Sequence, residues 1–566
     1  MAVVYKSSLI INNQQENQMR KLILTRVTLF ALLLGAVGCN EGFEPEAGSS
    51  PLTENQTNVA DSRDQVHYNK TCASQIEGYF ENWYKLEHMR QAYSNIVGST
   101  RAESDDIITA THYHYKFIPK DGAELTLLED CPDLELFAYP LDAIVSEGEY
   151  FESENPLLRY AVVPVDKVLP DVEKELLYEM FIPDDSRTRM PTRCSHIDPE
   201  MADRLVAEAM RITGNEEEPV NKTRASKWYG RGCIKVCDDQ LGDYIPVRGA
   251  KVRITRAGVT YTAITDSLGN FQMTDGFKYG ASYSIIWERD KWDIRDGTTG
   301  QAYYQTDGNV TNQAWNLNIG SGKSIRYAVI HRACYRHFYH SKLGFLKAIP
   351  SDRKLKIGYM HEFSDGGYTG YFDDGRNGTL PDIRIYRGNI SQYIETTCEI
   401  LGTSFHELGH AGYWFNTTES KYENTDLMIH EAWAFLNEYL LLKEEAEYLT
   451  NCSNLFWGKL CDFVNNVYEI GIEGAQLQTW TNQVSYHENA PLFIDLVDDY
   501  NQHTSNSTYL YDSITGYDVV FLGSIIKNNQ NNFTSLRDAI KNTLPNGITE
   551  QDIIDYFEQY RNYWVE

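Results

Sequence analysis

Residues 403–412 read TSFHELGHAG, with His406 and His410 four positions apart and Glu407 beside the first. On a helix, residues four apart project from one face a turn apart, so two imidazoles can each offer a nitrogen to one metal ion. Glu407 sits one residue further round, where it can reach a water beside the ion without ligating it. Gly409 and Ala411 are small and leave room for a neighbouring backbone. A catalytic zinc site needs a third protein ligand and a position left open for water.

Such residues need a helix to carry them. In SQYIETTCEILGTSFHELGHAGYWF, Ile394, Cys398, Leu401, Phe405 and Leu408 recur at three- and four-residue spacing, which predicts an amphipathic helix with a core-facing stripe. KYENTDLMIHEAWAFLNEYLLLKEEAEYL predicts a second helix directly after it. Upstream, IRYAVIHRACYRHFYHSKLGF reads as a helix, and KLKIGYMHEF and PDIRIYRG read as strands around the Gly-rich loop SDGGYTGYFDDGRNGT. FTSLRDAIKNTL and TEQDIIDYFEQYRNYW close the chain as helices, the latter with Thr549, Gln551 and Asp552 at its start.

This order of strands, helix and second helix resembles a zincin catalytic core. The metzincin version places Gly three and His six residues after the second ligand, where this chain has Tyr413 and Asn416, so that version does not apply. The gluzincin version takes a Glu from the next helix. Glu431 in IHEAWAF, with twenty residues between it and His410, is similarly spaced to the ligand of the thermolysin and aminopeptidase N families, and Glu-Ala-x-Ala echoes their local sequence. The resemblance implies a zinc metallopeptidase, with Zn2+ held by His406, His410 and Glu431 and Glu407 as general base. Glu438 and His430 are rival third ligands, although His430 points about 100° away from Glu431 on a helix. These families often carry an acidic partner for a ligating His shortly after the ligand Glu. Here Glu431 plus four is Phe435, and the partner falls to Glu438 or Asp426.

The same resemblance implies a downstream Tyr or His as transition-state donor, which TNQVSYHENAPLF supplies as Tyr486 and His487. It also implies that DIRIY is an edge strand able to pair with an extended peptide. No Gly-x-Met-Glu-Asn-type amine-binding motif stands upstream, which favours an endopeptidase; the same water activation would also serve esters.

The N-terminus gives an address. After Met19 come Arg20, Lys21 and Arg26, then the apolar run VTLFALLLGAVG, then Cys39. The run is too short for a permanent membrane span. It resembles a bacterial lipoprotein signal over 1–39 with AVGC as lipobox, Met19 as start and Cys39 as the lipidated residue. That implies a lipid-anchored outer-membrane lipoprotein, surface-exposed or periplasmic. Residues 40–64, with Glu41, Glu44 and Glu46 and few apolar side chains, read as a flexible tether.

The chain carries 80 acidic against 51 basic residues, a formal charge of -29, which opposes binding to phosphate backbones and argues against nucleic acid as a partner. Its length predicts several domains. Residues 65–228 read as an N-terminal α+β domain: THYHYKFIP, LELFAYPLDAIV and LLRYAVVPV as strands, PDVEKELLYEMF and DPEMADRLVAEAMRI as helices. Residues 229–320 carry short alternating runs broken by Gly and Asp turns, the pattern of a β-sandwich. There, Pro246-Val247-x-Gly249-Ala250 and TDSLGNF (265–271) resemble the carboxypeptidase regulatory-like, or transthyretin-like, domain. Residues 324–566 would form the mainly helical zincin-like domain.

Two other histidine groups are weaker metal candidates. His112 and His114 share a strand face, and His331, Cys334, His337 and His340 fall three apart on one helix, where such spacing drifts around the axis among core aromatics. Of 10 cysteines, lipidation of Cys39 leaves an odd number. Cys233 and Cys237 share a strand face without a Cys-x-x-Cys motif, and Cys452 with Cys461 form a plausible local pair. The expectation is therefore a multidomain α+β metallopeptidase acting on extracytoplasmic peptides or proteins. The alternative is a surface lipoprotein that binds a glycan or protein through a non-catalytic zincin scaffold, which would not need Glu407.

Overall fold

The computed structural model describes residues 66–68, 72–183, 197–217, 227–239, 241–364, 369–373, 381–388, 396–456, 492–499, 511, 514–528 and 531–562. Among them the chain is mixed α+β, with several sheets and eleven α-helices.

In the first region, His112–Phe117 is the middle strand of three, antiparallel to Arg159–Pro164 and Lys174–Met180. Around it lie helices α1 (Leu86–Val97), α2 (Arg101–Ile107), α3 (Gly122–Glu129) and α4 (Pro199–Ile212). Two expectations change here. KELLYEM, which the spacing predicts as helix, is a strand: pairing along His112–Phe117, with an irregularity between His114 and Tyr115, outweighs its helix-favouring Lys, Glu and Leu content. LELFAYPLDAIV contributes only the short strand Ala143–Val145.

Next come two sheets packed face to face. Trp228–Asp238 is antiparallel to Asp243–Pro246 and Asn270–Phe277 and parallel to Ala314–Ile319. Opposite it run Val259–Ile264, Lys251–Arg256, Ser282–Ile286 and Tyr303–Gln305. Alternate residues Ile234 and Val236, and Val252 and Ile254, are buried between the layers, as a strand's period of two requires. Tyr283 of one sheet stacks on Trp315 of the other at 5.3 Å. The TDSLGNF turn is an Asp-closed loop: Asp266 Oδ1 accepts from the backbone N–H of Leu268 and of Asn270, both at 2.8 Å. Gly269 there has φ +79° and lies so close to Ile234 O that a Cβ would stand 2.4 Å from it.

A third sheet runs Gly300–Gln301, Trp292–Asp296, Leu355–Met360, Ile383–Tyr386, Gly370–Phe372. Trp292–Asp296 lies before residue 320 yet pairs parallel with Leu355–Met360, so this sheet draws strands from both sides of that position. Ile383–Tyr386, expected at an edge, is interior; the edge is Gly370–Phe372, drawn from the Gly-rich segment and antiparallel to it.

Against this sheet lie α5 (Gly322–Tyr335), continued by a π-helical turn over Arg336–His340, and α6 (Thr397–Phe415), followed by α7 (Glu419–Glu423) and α8 (Leu427–Phe456). Helices α9 (Val519–Lys527), α10 (Phe533–Lys541) and α11 (Glu550–Asn562) complete the set. Thr396 and Glu399 form a reciprocal capping box at the start of α6. Thr549 and Asp552 do the same at α11, where Asp552 N–H donates to Thr549 Oγ1 and Thr549 N–H to Asp552 Oδ2.

A buried ionic hub ties α8 to its surroundings. Glu445 accepts from Arg336 Nη2 at 2.6 Å, Arg248 Nη2 at 3.1 Å and Arg332 Nη2 at 3.3 Å, and Arg332 also reaches Asp238 at 3.1 Å. Among the described residues Cys72, Cys131, Cys233, Cys237, Cys334 and Cys398 form no disulfide bond with one another. Among the described residues no helix is long and apolar enough to cross a membrane.

Candidate metal centre

Two glycines set the distance between α6 and α8. A Cβ on Gly409 would stand 2.9 Å from Ala434 Cα, and one on Gly402 would stand 2.9 Å from Glu438 Oε1. The two are seven residues apart, hence on one face of α6, and their missing side chains let the helix backbones approach. Leu401, Phe405 and Leu408 are buried as the predicted stripe requires.

This approach brings three side chains to a point. His406 Nε2 lies 3.1 Å from His410 Nε2 and 3.2 Å from Glu431 Oε2, and His410 Nε2 lies 3.5 Å from Glu431 Oε1. A tetrahedral ion with ligand bonds of about 2.0 Å has ligand–ligand edges of about 3.3 Å, the scale found here. On the far side of the ring, His406 Nδ1 is 3.3 Å from Glu438 Oε2. A proton on Nδ1 donated to that carboxylate leaves the Nε2 lone pair facing His410 and Glu431. Phe435, standing where the related families carry an acid, packs edge-on to the His406 ring at 4.7 Å.

Glu407 is 6% exposed, and burial raises its carboxyl pKa above the usual range despite the opposing pull of His410 and His406. Strand Gly370–Phe372 covers it: a Cβ on Gly370 would meet Glu407 Oε1 and Thr403 Cγ2, each at 2.6 Å. Thr369 and Thr403 hydroxyls, 3.2 Å apart, link the strand to α6. Burial works against ionisation of Glu431, but the charge of His410 and hydrogen bonds with His406 and His410 hold its carboxyl well below the normal value. For His406, burial alone would lower the pKa; hydrogen bonds to Glu431 and Glu438 outweigh it and raise it well above.

The donor set fits a divalent cation. Glu407, Glu431 and Glu438 place three carboxylates around two imidazoles in one small buried volume, an excess of negative charge that such an ion would neutralise. Imidazole and carboxylate together at tetrahedral spacing suit zinc.

The rival residues are placed elsewhere. His430 is buried against Tyr422 at 4.2 Å and Tyr413 at 5.1 Å, and burial lowers its pKa to about 4. Asp426 accepts from Phe533 N–H at 3.1 Å, at the start of α10. His331 Nε2 donates to Arg248 O at 2.8 Å, while His337 Nε2 accepts from Ala348 N–H at 3.2 Å, so the two serve separate packing contacts. His114 is fully buried against Tyr178, and burial takes its pKa down to about 4. Tyr486, His487, Cys39 and Cys461 lie outside the described residues, as does the side chain of Cys452.

The covering strand Gly370–Phe372 was not singled out by sequence alone, whereas Glu438 stood among the alternatives, as a rival third ligand or as the partner of a ligating His. Glu438 had a signal, lying two turns after Glu431 on the same helical face. The strand had only its Tyr and Phe within a run of glycines.

No protein-family model matches this chain, and no curated protein matches it. Among solved structures, a 9R-lipoxygenase from Cyanothece PCC8801 is similar over 25% of this chain and 28% of that chain, at 12% identity and a TM-score of 0.10. A likeness that slight carries no argument about fold or chemistry.

Proposed function

We propose that the chain is a zinc-dependent peptidase of gluzincin type, in which His406, His410 and Glu431 hold the ion and Glu407 is the general base. The convergence of two imidazole nitrogens and a carboxylate within 3.1 to 3.5 Å, with Glu407 alongside, carries the reading. When bound, the ion supplies Lewis acidity, polarising a carbonyl and making a water easier to deprotonate.

The remaining tasks belong to the chain. Glu438 orients His406 through Nδ1. Glu407, whose burial favours holding a proton, takes one from water at Oε1 and returns it to the leaving amine. Strand Gly370–Phe372, the sheet edge beside Glu407, offers backbone groups to an extended substrate, a role the sequence had suggested for DIRIY. Tyr486 and His487 remain our proposed transition-state donors on the gluzincin resemblance alone.

On the same reading the helical part is zincin-like, the paired sheets are a carboxypeptidase regulatory-like module, and Cys39 anchors the protein by lipid to the outer membrane. Substrates would be extracytoplasmic peptides or proteins. The test is cleavage of a mixed peptide library by zinc-loaded protein, with Glu407→Gln as control. Cleavage that falls by about 10²- to 10⁴-fold in the variant, at unchanged zinc content, supports the assignment. Equal cleavage by both proteins removes Glu407 from the reaction.

A further inference from the structure

Away from the metal centre, the first region and the paired sheets enclose a cavity of about 310 Å³. Its walls carry four aromatic rings, Phe80, Trp83, Phe137 and Tyr139. Its size is at the lower end of small-ligand pockets. Three observations narrow what it would hold.

First, its charges are matched internally. Arg256 is bidentate to Glu217, with Nη1 to Oε2 and Nη2 to Oε1 both at 3.2 Å, and lies over the Trp83 ring at 4.7 Å. An ionic ligand would have to break that pair. Second, the wall is not purely apolar. Asn215, Ser282, Ser284 and Asn309 also line it, and the Asn309 side chain makes no hydrogen bond among the described residues. Asn215, Ser282 and Ser284 already bond within the chain, with Glu81 O, Thr255 O and Arg253 Nε, but a hydrocarbon ligand would take the Asn309 amide out of water without replacing its hydrogen bonds. Third, Ile144, which lines the cavity, is 44% exposed, leaving apolar surface there open to solvent.

We propose that this cavity is a binding site for a neutral saccharide unit. Arg256 lies over Trp83 and Arg253 over Phe137, so the weakly positive C–H face of a sugar ring is left Phe80 and Tyr139 to pack on, while its hydroxyls suit the Asn309 amide. The site would hold substrate or surface glycan apart from the chemistry at His406, and the inference does not depend on the ion.

The test is calorimetric titration of the whole protein with maltotriose, chitotriose and mannotriose, repeated with Phe80→Ala and Asn309→Ala. N-acetyltyrosinamide serves as an aromatic rather than sugar probe. The expected result is binding of at least one saccharide, weakened about tenfold or more in either variant and unchanged in Glu407→Gln or after metal chelation. Asn309 is on an exposed loop, so its variant keeps the test decisive if Phe80→Ala lowers the melting temperature. Three results overturn the proposal: no saccharide binding at about 10 mM, binding that survives both variants, or preference for N-acetyltyrosinamide.

Discussion

Glu438 Oε2 lies 3.3 Å from His406 Nδ1, on the side of the ring opposite Glu431. The imidazole is therefore held between two carboxylates from one helix, and its orientation is set before any ion arrives. Removing the outer carboxylate should loosen the ring without touching a ligand. Glu438→Ala is expected to lower zinc affinity about 10- to 100-fold in a competitive chelator titration. An unchanged affinity would remove Glu438 from the site.

Gly409 should resist enlargement. A Cβ there meets the backbone of Ala434, which cannot swing aside as a long side chain can. Gly409→Val is expected to lower stability by about 1 to 3 kcal/mol in urea unfolding, since the gain in helix propensity over Gly is well under 1 kcal/mol. It should also weaken zinc binding, because Ala434 sits one turn after Glu431 and both move with α8. Intact stability and affinity would mean that the helices are not held by this contact.

His114 sets a pH dependence. Its folded-state pKa of about 4 lies below the ordinary value of 6.5 because burial disfavours the charged ring. Between those values the unfolded chain binds the proton and the folded chain does not, so stability falls as pH drops from about 6.5 towards 4. The full effect is about 3 kcal/mol. In His114→Phe this contribution is absent, so the stability difference from the parent should change by that amount between pH 7 and pH 4. Parallel pH profiles would show that the ring is not held neutral.

Much of this arrangement is legible in the sequence. The 3.6-residue stripe through Leu401, Phe405 and Leu408 gives α6 and its buried face, and the small residues around His410 announce the helix crossing. That Glu431, rather than Glu438 or His430, would meet His406 and His410 is what the gluzincin resemblance implies for the next helix. The choice between Glu438 and Asp426 needed coordinates, because both are within reach in sequence and only the packing of α10 occupies Asp426. KELLYEM defeats local reading because its propensity is helical and its strand partner lies far away in sequence. DIRIY reads as an edge only until Gly370–Phe372, from a segment whose glycines signal loop, pairs on its outer side.

The most direct measurement is zinc per chain by elemental analysis, on the parent and on Glu431→Ala. The account predicts one zinc in the parent and a sharp loss in the variant, with far-UV circular dichroism unchanged. No zinc in the parent after refolding with the metal, or full zinc in Glu431→Ala, would contradict the site built from His406, His410 and Glu431.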